Sequence, residues 1–371
     1  MKVLFITRPT VFSGPGGDTI QLIKTAEYLK DIGVEVVIAD SAMPDVSGYD
    51  LVHFFNLRNP QDLLINVRRV KKLNIPSVLS TIWGSYFECD IKSRKGLVRK
   101  IFEALGESRL EYFKVLARAL LNANINFSML PYLWNGHLKS QEEIFESVDV
   151  ILPNSLTELE RVKSDMSSVN KLGTWVPNAI DRHVFDYESV NVSEKFEEYR
   201  GCLVSVARIE IRKSQLDLIK AIEGTGYKLV LVGRPSPNNK KYYHDCVAAA
   251  GDNVYFITNL DHYELAQLYK VSKAHALISW METPGLSSLE AAAMKSNILV
   301  TNRGDTEFYF ENLATYCEPG DIESIRRGIK KVMCDEFNES LRERILDKFS
   351  WEETARKTFE GYHLAISKKT L

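Results

Sequence analysis

The sequence predicts two α/β domains, each built on a parallel sheet with helices on both faces. Length, the spacing of short apolar runs and the uniform character of those runs lead there. At 371 residues the chain is about twice the size of a usual single domain, so two units of roughly 170 to 190 residues are the natural division. Runs rich in Val and Ile recur at 2–7, 34–39, 51–55, 77–81 and 150–153, then at 202–207, 228–232, 254–258, 275–279 and 298–301, with 314–317 as a shorter candidate. Strands this evenly apolar suit a sheet buried on both sides, and the helical stretches between them supply the cover.

Composition removes several function classes. Hydrophobic residues make up 45% and charged residues 26%, with a formal charge of −2, an ordinary globular balance with no global attraction for nucleic acid. The five cysteines, Cys89, Cys202, Cys246, Cys317 and Cys334, have no paired spacing for zinc or a disulfide framework and read as reduced core residues of a cytoplasmic protein. The opening Met-Lys-Val-Leu-Phe-Ile-Thr-Arg is too short for a signal segment and reads as the first strand. No stretch approaches the ~20 apolar residues that span a bilayer, so any membrane contact is expected to be peripheral.

After the first strand comes a glycine-rich loop, Ser13-Gly14-Pro15-Gly16-Gly17, then a helix expected to run to about Asp31. Glycines there allow close backbone approach to a ligand and positive-φ turns, although the spacing is not that of the dinucleotide fingerprint and a tight turn without a ligand reads equally well. The βα rhythm breaks at 91–140, which carries helical periodicity. In it Lys92, Arg94, Lys95, Arg99, Lys100, Arg109, Lys114 and Arg118 outnumber Glu103, Glu107 and Glu111, and Leu97, Ile101, Leu105, Phe113 and Leu116 form an apolar stripe. A basic amphipathic helix of this kind lies on an anionic membrane surface or packs as a solvated helix on its own domain. The segment Val176-Pro177-Asn178-Ala179-Ile180-Asp181 and the charged stretch 186–200 place the domain boundary near 180.

In open α/β sheets, ligands bind beyond the carboxyl ends of the strands, and two constellations stand there in the second half. One is Trp280-Met281-Glu282-Thr283-Pro284-Gly285-Leu286-Ser287-Ser288-Leu289-Glu290, read as strand, glycine turn and helix. Pro284 and Gly285 open the helix, and Leu286, Ser287 and Ser288 bring the free N–H groups and dipole of its first turn, which suit a diphosphate. Glu290, two turns or less inside the helix, is placed for ribose hydroxyls. Singly, Glu282 reads equally as a loop acid and Glu290 as a solvated helical residue. The second is Arg208-Ile209-Glu210-Ile211-Arg212-Lys213: fixed cations that stabilise a departing diphosphate, Arg by forking across two oxygens and Lys as a point charge, or else a solvated basic turn.

Together these residues resemble glycosyltransferase family four, the retaining "glycosyl transferases group 1" of the GT-B fold. Asp149 to Ser155, Val176 to Asp181, Gly304-Asp305-Thr306-Glu307, Glu318-Pro319-Gly320-Asp321 and Phe349-Ser350-Trp351 extend the resemblance over nearly the whole chain. It implies two Rossmann-like domains with parallel sheets facing across a cleft: an acceptor-side domain of residues 1–180, a donor domain of residues 181–349, and a last helix, 350–371, crossing back to the first domain. It implies that Arg208 and Lys213 hold the donor diphosphate, that Gly16 and Gly17 close over its phosphates, that Glu282 orients the sugar as a catalytic group and that Glu290 fixes the ribose.

The expected reaction is transfer of a sugar, with retention, from a UDP- or GDP-sugar to a hydroxyl of a saccharide or lipid-linked saccharide in surface polysaccharide or glycolipid synthesis. The departing phosphate would help to deprotonate the acceptor. No Asp-x-Asp pair is present, so no metal and no cofactor are expected. Two departures from the family pattern stand out. Thr81-Ile82-Trp83-Gly84 occupies the place of a sugar-contacting histidine, and Gly233-Arg234-Pro235 alters a glycine-rich turn, making Arg234 a further phosphate or acceptor contact. Rivals are a GT-B-fold epimerase or phosphorylase and a non-catalytic sugar-nucleotide-binding protein; a nicotinamide oxidoreductase lacks its fingerprint. Residues 91–118 are the expected peripheral contact with the inner face of a membrane.

Overall fold

The computed structural model describes residues 1–121 and 127–370. Residues 122–126 of the helical insertion and Leu371 lie outside them. The chain divides into two compact units. The first comprises Met1–Phe87, Arg94–Asn178 and Trp351–Leu371, the second Glu88–Ser93 and Ala179–Ser350.

The first unit carries β1 (Lys2–Ile6), β2 (Glu35–Ile38), β3 (Leu51–Phe55), β4 (Ser77–Ser80) and β5 (Val150–Ile151) in the order β2-β1-β3-β4-β5. All pairings are parallel. Every residue of β3, β4 and β5 is buried, as strands covered on both faces require. The last helix, Trp351–Thr370, belongs to this unit, and a buried polar chain fastens it. His53 of β3 bonds through Nδ1 to the Tyr362 hydroxyl at 2.8 Å and through Nε2 to Ser80 Oγ at 2.9 Å. Satisfying both ring nitrogens is what allows a histidine in a sheet interior, where burial holds its pKa well below the usual 6.5. Gly361 permits the contact: a Cβ there would lie 2.5 Å from Leu152 Cδ2.

The second unit carries β6 (Leu203–Val206), β7 (Leu229–Val232), β8 (Val254–Ile257), β9 (Ala274–Leu277), β10 (Asn297–Thr301) and β11 (Thr315–Cys317). Their order is β11-β10-β9-β6-β7-β8, again parallel throughout. Helix starts are written in the sequence. Asp261 accepts from the Glu264 amide at 2.8 Å while Glu264 accepts from the Asp261 amide at 3.1 Å, a reciprocal cap that satisfies two first-turn donors. Gly328 lets the helix Ile322–Cys334 approach β10, with a Cβ there falling 2.5 Å from Leu299 Cδ1.

The insertion is helical, as its periodicity suggests, but in several pieces. Phe87–Lys92 is a separate helix, and within Gly96–Leu121 the backbone breaks at Gly106 (φ 71°, ψ 168°), a conformation open to glycine. Of the expected stripe, Leu97, Ile101 and Phe113 are exposed while Leu105 and Leu116 are partly buried. Several of its cations answer its own acids: Lys92 pairs with Glu88 at 2.7 Å, Arg99 with Glu103 at 2.8 Å and Lys114 with Glu111 at 2.8 Å. Glu88–Ser93 packs with the second unit, where Arg303 Nε donates to Glu88 Oε2 at 2.9 Å. Among the cysteines, Cys334 departs from expectation: it is exposed, the other four buried.

Candidate functional site

In the second unit the two constellations form one cluster beyond β6 and β9. The turn after β7 supports the first. Gly233 lies so close to it that a Cβ would meet Ala207 O at 2.0 Å, with φ at +149°. The Ile209 amide donates to Arg234 O at 3.0 Å and the Ser236 amide to Ile209 O at 3.1 Å. Gly233-Arg234-Pro235 therefore props the backbone that carries Arg208, whose half-exposed guanidinium reaches Glu210 Oε1 at 3.9 Å. Arg234 itself is exposed.

A single helical turn, Ile211–Lys213, then closes on Ser214 in the left-handed conformation (φ 50°) and delivers Lys213 to Glu282. Lys213 Nζ and Glu282 Oε1 form a charge-assisted hydrogen bond between side chains that are 17% and 11% exposed. The Glu282 backbone is held on both sides: its amide donates to Arg303 O at 3.3 Å and its carbonyl accepts from the Asp305 amide at 2.9 Å. The fit tolerates no side chain at Gly304, where a Cβ would lie 1.9 Å from Glu282 O.

Gly285 caps the next helix in the left-handed region (φ 76°), and the helix runs Leu286–Ala293. Pro284 and Gly285 are buried, Leu286 and Ser287 partly so. Intrahelical bonding begins with Ser288 and Leu289, whose amides donate to Gly285 O at 2.8 and 3.3 Å, so Leu286 and Ser287 present the first-turn donors that a helix leaves open. Glu210 is the buried acid of the cluster, 3% exposed, and Glu290 is half-buried. The Tyr269 hydroxyl donates to its Oε2 at 3.4 Å, and burial raises its pKa to about 7. It is not the solvated helical residue that its position alone permits. Two buried hydroxyls beside these residues, Ser214 Oγ and Ser279 Oγ, have no hydrogen-bond partner among the described residues, an unusual state for buried polar atoms.

Gly16 and Gly17 stand in the first unit, at the start of the helix Gly17–Asp31. The expected positive-φ turn is absent. Gly16 is extended (φ −154°), and neither Gly14, Gly16 nor Gly17 is left-handed. Arg8 shapes the loop instead. Its Nε and Nη2 reach Asp18 Oδ2 and Oδ1 at 3.0 and 3.2 Å, while Nη1 donates to Thr10 O at 2.8 Å and Nη2 to Gly14 O at 3.0 Å. A planar guanidinium with five donors can hold this many acceptors at once. Sequence reasoning passed over this clamp; its signal was an arginine two residues past β1 and an aspartate in the first turn of the following helix.

Beyond β4 the chain turns at Ile82 (φ 45°) onto a buried acid, Glu158, also passed over. Glu158 Oε1 accepts from the Thr81 hydroxyl and from the Trp83 amide (2.7 Å), and Oε2 accepts from the Asn154 amide at 3.0 Å. Ser155, capping the helix Leu156–Asp165 through the Glu158 amide at 2.8 Å, was the readable sign: Ser-x-x-Glu at a helix start. The Trp83 indole N–H donates to Asp165 at 2.7 Å.

Residues 188–348 match the family described as "Glycosyl transferases group 1". Two glycogen synthases of Mycobacterium tuberculosis strains are 30% identical over 114 residues, which is 29% of this chain and 28% of theirs. Among solved structures, sucrose-phosphate synthase from Thermosynechococcus elongatus is similar at TM-score 0.73 and 16% identity, covering 99% of this chain and 100% of that one. Anabaena Alr3699/HepE in complex with UDP and glucose is similar at TM-score 0.67 and 14% identity, covering 97% and 98%. At such identities the likeness is one of fold. Arg208, Lys213, Glu282 and Glu290 thus stand in the segment that matches the group 1 glycosyl transferases, within a chain whose two Rossmann-like units and returning last helix are of the GT-B fold.

Proposed function

We propose that the protein is a retaining, metal-independent glycosyltransferase that moves a sugar from a UDP- or GDP-sugar to a hydroxyl of a saccharide or lipid-linked saccharide, in surface polysaccharide or glycolipid synthesis. The observation that carries it is the convergence of Arg208, the Lys213–Glu282 pair, the first turn of Leu286–Ala293 and the half-buried Glu290 at the carboxyl end of one sheet. Diphosphate oxygens at this turn meet the Leu286 and Ser287 amides, and Arg208 neutralises the charge that grows as the sugar departs. Lys213 pairs with Glu282, and a donor diphosphate that draws the Lys213 ammonium leaves the Glu282 carboxylate for sugar hydroxyls and developing positive charge. Glu290 accepts from the ribose.

Calorimetry of UDP, GDP, ADP and their sugars against wild type and Glu290→Ala, without added metal, tests this reading. Selective binding of one nucleotide, lost in the variant, is expected; binding of none removes the transferase reading in favour of a protein that does not use nucleotide sugars. No helix among the described residues is long and apolar enough to cross a membrane. The exposed Leu97, Val98 and Ile101 beside Arg99 and Lys100 support peripheral contact with an anionic membrane from the cytoplasmic side. Liposome flotation of wild type and Leu97→Ser/Ile101→Ser tests that contact, and equal binding of the two proteins removes it.

A further inference from the structure

The loop that carries Glu282 is gripped by a short segment from far earlier in the chain. Residues Glu88–Ser93 pack with the second unit, although the stretches on either side, Met1–Phe87 and Arg94–Asn178, belong to the first. Glu88 takes the Arg303 guanidinium on both oxygens, Nε donating to Oε2 at 2.9 Å and Nη2 to Oε1 at 3.2 Å, and Lys92 Nζ donates to the same Oε1 at 2.7 Å. Arg303, and after it Lys92, hold the Glu88 carboxyl below its ordinary pKa, so the fork is charged at neutral pH. Arg303 Nη2 also donates to Glu318 Oε1 at 2.5 Å and Nη1 to Asn302 Oδ1 at 2.6 Å. Lys92 lies over the Trp280 ring, 5.3 Å from its centroid.

Both partners of this segment lead to Glu282. Trp280 stands two residues before it and is buried; its amide donates to Arg212 O at 3.0 Å, next to Lys213, and Gly320 backs its ring so closely that a Cβ there would lie 3.2 Å away. The Arg303 carbonyl accepts from the Glu282 amide at 3.3 Å. The Arg303 and Glu88 side chains are 25% and 37% exposed, so their pairing adds little to global stability. A planar guanidinium held between two carboxylates nevertheless fixes a direction, and the backbone it fixes is the one that presents Glu282.

We propose that Glu88–Ser93 braces the Glu282 loop and that Arg303 is the positioning residue through which the brace acts. The inference rests on the transferase reading and adds a support for its carboxylate that neither constellation contains. With the fork intact, Glu282 stays aimed at Lys213 and the sugar; without it the loop keeps its fold and loses its aim, which costs rate rather than stability.

Amide hydrogen exchange of the full chain tests the brace without any ligand, read on peptides spanning 280–290 and 301–310. The proteins compared are wild type, Glu88→Gln, Arg303→Met, Arg303→Lys and a control, Glu103→Gln, which breaks the Arg99 pair outside the segment. Glu88→Gln and Arg303→Met should speed exchange in both peptides about tenfold with Tm nearly unchanged. Arg303→Lys should retain only part of the protection, because it keeps the charge and loses the fork. Glu103→Gln should match wild type. Exchange unchanged by Glu88→Gln, or raised equally by Glu103→Gln, overturns the inference. Hydrolysis of UDP-glucose and GDP-mannose, with UDP and GDP titrations on the same samples, separates the two levels. Glu88→Gln should cut kcat about tenfold and leave KM and nucleotide Kd near those of wild type. Faster exchange with unchanged kcat rejects the positioning role and keeps the transferase, whereas faster exchange in a protein that binds neither nucleotide rejects the transferase reading and with it the catalytic meaning of the brace.

Discussion

The two units share one architecture and assemble their chemistry in opposite ways. In the second, Arg208, Lys213, Glu282, the open first turn and Glu290 come from two short runs, 206–214 and 280–290, each leaving the end of a strand. In the first, a cavity of about 200 Å³ beside Trp83 takes one to three residues from each of five segments between Arg58 and Met166. A diphosphate is a small, highly charged target that one turn of helix and two cations recognise, so a local motif suffices. A sugar hydroxyl pattern is broad and weakly charged, and recognising it needs walls supplied by many loops.

If that contrast is right, the largest losses follow single changes in the second unit. Lys213→Ala and Glu282→Gln should each cut sugar transfer by about 10²–10³-fold, in line with the removal of one fixed group facing transition-state charge; single-turnover rates with saturating donor check this, and a loss confined to KM for the acceptor would break the comparison. Next comes Glu290→Gln. A half-buried carboxylate whose pKa rises from 4.5 to about 7 favours its protonated form in the fold, so its stabilising share is complete below pH 4.5 and lost as pH climbs to 7. The variant should therefore match wild type in acid and exceed its stability above pH 7 by up to about 3 kcal/mol, as read by denaturant titration at pH 4 and pH 8. Ribose hydroxyls prefer the ionised acid, so nucleotide affinity of the wild type should rise with pH and level off above 7.

Gly304→Ala places a Cβ 1.9 Å from Glu282 O at φ +86° and should cost about 1–3 kcal/mol of stability together with most transfer activity; a change in Tm without loss of activity would dissociate Glu282 from the site. The smallest effect belongs to the first unit. Arg8→Ala leaves the fold intact and loosens the loop around Gly16, and should slow transfer about tenfold with little change in Tm, while Arg8→Lys, unable to fork onto Asp18, should rescue little of it.

The glycine loop and the acidic turn mark where reading from sequence stopped. Gly16 and Gly17 were visible as a pair, but glycine advertises conformational freedom that this loop does not use. Its shape comes from Arg8, whose partners lie two to ten residues away and carry no periodic signal. Glu158 was equally quiet, being one more acid in a helical stretch until Thr81 and Trp83, more than seventy residues earlier, fold onto it. Glu282 and Glu290 were legible because strand, Pro-Gly turn and helix stand together in the chain. That Lys213 pairs with Glu282 was not.

By itself the sequence determined the parallel sheets, the strand positions to within a residue or two and the start of the helix after Gly285. These follow from hydrophobic period, caps and turn residues, all of which act over a few neighbours. Tertiary structure decided which acids are buried, which cations are already paired and which distant loops enclose the cavity beside Trp83. Charge, desolvation and enclosure depend on everything within a few ångströms, and residues brought that close by folding may be a hundred positions apart in the chain.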